Sequence, residues 1–208
     1  LVWRVVAVDQ LEMGYSEHSG ETRPLARRIA DLAELTRALD LSRSVVTLGH
    51  DWGGVVSLGW AVDHPQLVSG IVLLNTAVHQ PTEHPLPALL RLALRQPLRS
   101  AGTTETSAFL AATLALAHPP LSPEVRKAFS APYSTATRRK GIAGFVADIP
   151  VNEAHESFAE LARVAEGIRS LEVPALMLWG PRDPVFSDRY LGDLISRLPH
   201  ADVHRFEG

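Results

Sequence analysis

Val45-Val46-Thr47-Leu48-Gly49-His50-Asp51-Trp52-Gly53-Gly54 decides how this chain is read. Its first four residues are apolar or β-branched and read as a short buried strand, and a helix follows at once, from Trp52 past Trp60. Only Asp51 is left for the turn between them. Glycines two positions before and after it, Gly49 and Gly53, leave space for the two backbones to pass each other through a strained turn. Asp is also a common helix N-cap. A cap, however, asks neither for glycine on both sides nor for a strand that ends immediately before it. The stretch therefore predicts a sharp strand-to-helix turn with the Asp51 carboxylate at its centre.

Outward from this turn the pattern repeats. Leu25, Ile29, Leu32, Leu35 and Leu39 recur at helical spacing between Pro24 and Asp40, with Arg27, Arg28, Asp31 and Glu34 between them. Apolar runs follow at 44–48, 67–74 and 173–179, helices are predicted over 52–63 and 187–198, and a last strand over 203–206. A further short run, Val5-Val6-Ala7-Val8, reads as a strand ending in the polar segment Asp9 to Ser16. Continuous apolar strands alternating with helices indicate an α/β fold with a mainly parallel sheet and helices on both faces.

From Asn75-Thr76-Ala77 to about Ala165 the character changes. Prolines punctuate this region at 81, 85, 87, 97, 119, 120, 123 and 132, between helical patches such as Leu86 to Leu94 and Thr106 to Leu116. The stretch is too long for a plain loop, so it reads as an inserted helical cap. The expected division is 1–77 for the first part of the core, 78–165 for the cap and 166–208 for the second part of the core.

Composition narrows the function classes. The 208 residues are 46% hydrophobic and 21% charged, as in one soluble globular domain. The net charge of -3 shows no basic excess, which argues against nucleic acid as a partner. With Cys at 0, thiol and disulfide chemistry are excluded and a cytoplasmic location is expected. No apolar run approaches a membrane span, and His79, His84 and His118 lack metal-ligand spacing.

The block Gly49-His50-Asp51-Trp52-Gly53-Gly54 resembles the nucleophile elbow of haloalkane dehalogenases, epoxide hydrolases and their relatives in the α/β-hydrolase superfamily. The segment Phe129 to Asn152 resembles their cap, and Asp9 to Ser16 resembles the Asp-x-x-Gly-x-Gly-x-Ser loop before the elbow, with Glu12 in place of its first glycine. If that glycine takes a positive φ, Glu12 implies a locally altered turn. Asp9 and Ser16 are expected to tie this loop rather than to act in catalysis. The run Leu178-Trp179-Gly180-Pro181-Arg182-Asp183-Pro184 is most similar to a subgroup that includes the β-lactone decarboxylases of bacterial olefin biosynthesis, sometimes fused to an acyl-adenylating domain.

The resemblance implies Asp51 as nucleophile. A carboxylate attacking an sp3 carbon leaves an ester that can be cleaved, whereas a serine would leave an ether. It implies Asp183 as the acid that orients a histidine base, because Asp183 lies past the C-terminal end of a strand and the alternative acid position holds the neutral Asn75. Trp52 is expected to serve twice, its backbone N–H toward a developing anion and its indole N–H toward the leaving group. Tyr133 and Phe145 are candidates for the substrate pocket. His50 reads as a packed support residue, His200 and His204 fall before or within the last strand, and Arg138-Arg139-Lys140 reads as a solvated helix face.

Both ends of the chain read as cut, and the resemblance then implies a base in a Gly-His pair just after Gly208 and a second oxyanion donor in a His-Gly-x-Pro-like loop upstream of Leu1. No cofactor or metal is implied. The expected partner is a small hydrophobic substrate, first a long-chain β-lactone decarboxylated to an alkene, otherwise a haloalkane or epoxide. Only Tyr133 is available in the cap to protonate an epoxide oxygen. The competing class is a non-catalytic binding module on the same fold.

Overall fold

The computed structural model describes residues 3–42, 44–80, 94–95 and 98–206, Leu98 by its backbone alone. Helix α1 (Leu25–Ala38) follows Pro24, and its first N–H donates to Ser157 Oγ at 3.1 Å. It buries Leu25, Arg28 and Ile29 and stops where Asp40 takes φ +51°. Strand β1 (Val45–His50) leads through Asp51 into α2 (Trp52–Asp63). Eight consecutive residues of α2, Gly54 to Ala61, are buried, the mark of a helix in the middle of a core. Trp60 anchors it, donating from Nε1 to Thr36 Oγ1 at 3.0 Å.

Strand β2 (Val68–Leu74) comes next, then the helices α3 (Ala108–Ala115), α4 (Pro123–Ser130), α5 (Ala136–Ala147) and α6 (Phe158–Gly167). Strand β3 (Ala175–Trp179), helix α7 (Asp188–Arg197) and strand β4 (Asp202–Arg205) complete the order. The sheet is wholly parallel in the order β1-β2-β3-β4, with His50 opposite Leu74, Leu74 opposite Leu178 and Trp179 opposite Arg205. All four strands thus end on one edge, where an open α/β sheet collects its ligands.

The described residues form two compact units, one from 24–80 and 150–206, the other from 3–23 and 94–149. In the first, a single apolar cluster joins α1, α2, β2, α6, β3 and α7 through Leu58, Trp60, Leu73, Val164, Met177, Trp179 and Leu194. In the second, the loop 9–16 associates with the helices between 98 and 147 through polar bonds. The units therefore divide the chain differently from 1–77, 78–165 and 166–208. The reason is local: α6 packs into the sheet's cluster, and the loop does not.

Two expectations change here. Val5 to Val8 form no strand, and Val5 is 84% exposed. A strand exists only through ladder bonds to a neighbour, and no described strand pairs with this run. Burial on both faces is a property of the central strands, because β1 leaves Val46 and Leu48 exposed, Leu48 at 69%. The Leu86 to Leu94 patch, apart from Leu94, lies outside the described residues.

Candidate active site

The turn between β1 and α2 holds Asp51 at φ +51° and ψ -125°, a conformation that costs a residue with a Cβ roughly 1–3 kcal/mol. Three bonds hold it there. Its N–H donates to Asn75 O at 3.1 Å, and its carbonyl accepts from Gly54 N at 3.0 Å and from Thr76 Oγ1 at 2.7 Å. A Cβ on Gly49 would come within 2.5 Å of Gly53 O, and one on Gly54 within 2.2 Å of Thr76 Oγ1. Gly53 has open space at that point. The backbones at minus two and plus two thus pass closely, as predicted, and the glycine at plus three adds a second close approach, to Thr76 just past the end of β2.

The Asp51 side chain is open to solvent, yet enough protein surrounds its carboxyl group to disfavour the charge. This partial burial pushes its pKa above the usual aspartate value, and the negative charge of Asp183 pushes the same way. The charge of His50 and a hydrogen bond from the Trp52 N–H oppose the rise. Trp52 thus directs its backbone N–H at the Asp51 carboxylate, and its half-buried ring packs against the apolar cluster.

Asp183 sits in the loop after β3. Its N–H donates to Gly180 O at 3.2 Å, and its Oδ1 accepts from Val185 N at 2.7 Å and Phe186 N at 2.9 Å. These bonds fix the carboxylate relative to the loop. The structure so brings Asp51, Trp52 and Asp183 to the same C-terminal edge of the sheet.

Asn75, which the sequence marks only as a neutral residue at an alternative acid position, stands between them. It is 8% exposed, its Nδ2 donates to Gly180 O at 3.0 Å, and its Oδ1 accepts from Gly180 N at 2.8 Å. The only signal available in the sequence is its place directly after an apolar strand.

Tyr133 and Phe145 belong to the other unit. Tyr133 Oη accepts from Gly14 N at 3.1 Å and borders a cavity of about 240 Å³ that Leu110, Ala111 and Arg139 also line. Burial raises the Tyr133 pKa, the Gly14 N–H lowers it, and the charge of Asp9 raises it. Phe145 is buried on α5 beside Ile142 and Val146.

In the loop before the elbow, Ser16 Oγ donates to Asp9 O and Asp9 Oδ2 accepts from Tyr15 N, the tying role expected of Asp9 and Ser16. Glu12 itself adopts φ +71°, and its carboxylate accepts from Ser19 and Gly20, so the turn keeps its left-handed step without a glycine. Arg139 is no solvated residue. It is buried and donates to the carbonyls of Thr104, Tyr133 and Glu105. A guanidinium's planar fork of donors suits such a convergence of carbonyls. His50 is exposed rather than packed, because it is the last residue of β1 on the strand's open face. His200 Nε2 lies 2.9 Å from Val173 O, and His204 is within β4. Among the described residues, no group of three His, Asp or Glu could hold a metal, and no helix is long and apolar enough to cross a membrane.

An elbow at the end of one parallel strand has a carboxylate loop two strands away, and comparison with known proteins identifies the fold that carries them. A sequence profile of the α/β hydrolase fold matches residues 1–208. The chain belongs to the α/β hydrolase fold family. Among α/β hydrolases it is 30% identical to a cis-3-alkyl-4-alkyloxetan-2-one decarboxylase of Shewanella oneidensis, over 97% of this chain and 65% of that protein. It is also 30% identical to the protein of the same name from Xanthomonas campestris pv. campestris, over 99% of this chain and 72% of that one. The chain therefore spans about two thirds of the length of these relatives. The crystal structure of the haloalkane dehalogenase DatA from Agrobacterium tumefaciens C58 superposes with a TM-score of 0.85 at 20% identity, over 95% of this chain and 69% of DatA, which shows the shared fold.

Proposed function

We propose that this α/β hydrolase uses Asp51 as a carboxylate nucleophile on a long-chain β-lactone, releasing carbon dioxide and an alkene. The observation that carries this reading is the strained turn at Asp51, held by Asn75 and Thr76 at the sheet edge that also bears the Asp183 loop. The names of the two relatives at 30% identity support the substrate class, since an oxetan-2-one bearing two alkyl groups is a β-lactone. Asp183 is assigned as the acid that orients a histidine base expected outside this chain. Trp52 is assigned to the leaving group, and the helices between 98 and 149 to substrate selection.

The chemistry follows from the atom attacked. When Asp51 attacks the sp3 ring carbon that bears the ring oxygen, that C–O bond breaks and leaves a free carboxylate on the neighbouring carbon and an ester on Asp51. Loss of carbon dioxide then places an electron pair between the two carbons, forms the alkene and expels the Asp51 carboxylate. No water enters. A haloalkane would give the same ester but would need water to release it as an alcohol.

The two reactions separate cleanly in ¹⁸O water. For the protein as expressed from its whole gene, turnover of a long-chain cis-β-lactone should yield alkene with no ¹⁸O in the peptide carrying Asp51, and Asp51→Ala should abolish turnover. Label in Asp51 after turnover of a haloalkane, with the lactone untouched, would place the protein with the dehalogenases. Turnover retained by Asp51→Ala would remove the nucleophile reading altogether.

A further inference from the structure

We infer that the Asn75-Thr76 step positions the site, holding the Asp51 turn and the Asp183 loop at a fixed spacing. The inference rests on the nucleophile reading above and adds to it the element that sets the geometry. The β2–β3 ladder ends with Leu74 opposite Leu178, and at Asn75 the chain leaves the strand with φ +20°. The side-chain amide of Asn75 then takes the place of a main-chain amide. Its Nδ2 and Oδ1 bond Gly180 O and Gly180 N at 3.0 and 2.8 Å, which adds a rung to the sheet after the backbone has turned away. The freed backbone of the same residue accepts the Asp51 N–H at 3.1 Å, and the next side chain, Thr76 Oγ1, donates to the Asp51 carbonyl at 2.7 Å.

Both main-chain polar groups of Asp51 are therefore held by residues 75 and 76, and so is Gly180, whose carbonyl receives the N–H of Asp183. Thr76 is fully buried and Asn75 nearly so. Neither residue needs to touch substrate. They act through Asp51 and Asp183, and displacements of about 1 Å in such groups cost rates of the order of 10²-fold.

The test uses the whole expressed protein and the β-lactone assay. Asn75→Leu, which keeps the bulk and removes both amide bonds, should lower kcat by roughly 10–100-fold with KM nearly unchanged. Thr76→Val keeps its shape against Gly54 and removes one donor. It should lower kcat by about 3–10-fold, whereas Thr76→Ser, which retains the hydroxyl, should restore it. If Asn75→Leu does not fold, the Val and Ser pair at Thr76 carries the test.

The pH profile separates positioning from mere stability. Asp51 is faced by His50, the Trp52 N–H and Asp183, and the Asp183 charge helps raise its pKa. Releasing the Asp183 loop should move the acid limb of kcat/KM to lower pH, and in an Asp183→Asn background Asn75→Leu should leave that limb in place. A lowered Tm with kcat and the acid limb unchanged overturns the inference, as does a limb shift that persists without Asp183. Turnover without Asp51 would overturn the nucleophile reading and this role with it. That outcome is recognised by a variant that leaves residues 75 and 76 intact.

Discussion

The two units of this chain are held by different physics. The unit carrying the sheet is built on an apolar cluster in which Leu58, Leu73, Met177, Trp179 and Leu194 are fully buried. Among the described residues of the unit of 3–23 and 94–149, Pro132, Ile142, Phe145 and Val146 are the buried apolar side chains, and α3 and α4 bury no residue at all. In their place stand polar knots: Arg139 on three carbonyls, the Glu12 carboxylate on Ser19 and Gly20, and the Tyr133 hydroxyl on Gly14. An apolar core is non-directional and tolerates neighbours that repack. Polar knots are directional, and each loses its hold when one partner changes charge or leaves.

The contrast predicts graded effects. Trp60→Ala, in the apolar unit, should destabilise the protein by about 3–5 kcal/mol, read from urea unfolding. A loss under about 1 kcal/mol would mean that the cluster is not the main source of stability. Arg139→Met should cost about 1.5–3 kcal/mol, since it strips a buried charged donor from three carbonyls. Its damage should stay local: proteolysis should quicken between Arg99 and Arg139 while the sheet keeps its hydrogen-exchange protection. Tyr133→Phe removes one acceptor from Gly14 N and should cost about 0.5–1.5 kcal/mol.

The smallest effect expected is a dependence on pH. Burial raises the Glu12 pKa, but hydrogen bonds from Ser19 and Gly20 and the charge of His18 outweigh it, so the net shift is downward from 4.5. A depressed carboxylate contributes stability above its unfolded value and loses it as pH falls through the folded one. The gap in unfolding midpoint between the natural protein and Glu12→Gln should therefore be present at neutral pH and close on acidification below 4.5. A gap that is constant across that range would show that the knot works through shape rather than charge.

Most of the sheet unit was legible in the sequence because its signals are local. The β-branched run before Asp51, the 3.6-residue period from Leu25 to Leu39 and the apolar run before Gly180 each fall on the element predicted, within two residues at either end. What escaped depends on partners distant in sequence. Arg139 reads as part of a basic surface run until Thr104 and Glu105 are brought to it, and His50 reads as packed until its side of β1 proves open. Val5 to Val8 carry a strand's composition, but composition supplies no neighbour. Asn75 is the instructive case: its amide works as backbone, which no pattern of side-chain hydrophobicity reports.

The open side of β1 bears on how the protein behaves in a tube. Among the described strands β1 lies at the edge of the sheet, and its sequence Val45-Val46-Thr47-Leu48 is uncharged, rich in β-branched residues and exposed at Val46 and Leu48. Such an edge is a template for another strand, and natural sheets blunt it with charge, proline or a covering segment. None of these devices lies within the four residues themselves. In concentrated stocks of this 208-residue chain, edge-to-edge sticking should begin here. The strand that leads into the strained Asp51 turn is then also the one through which this stretch of chain would self-associate.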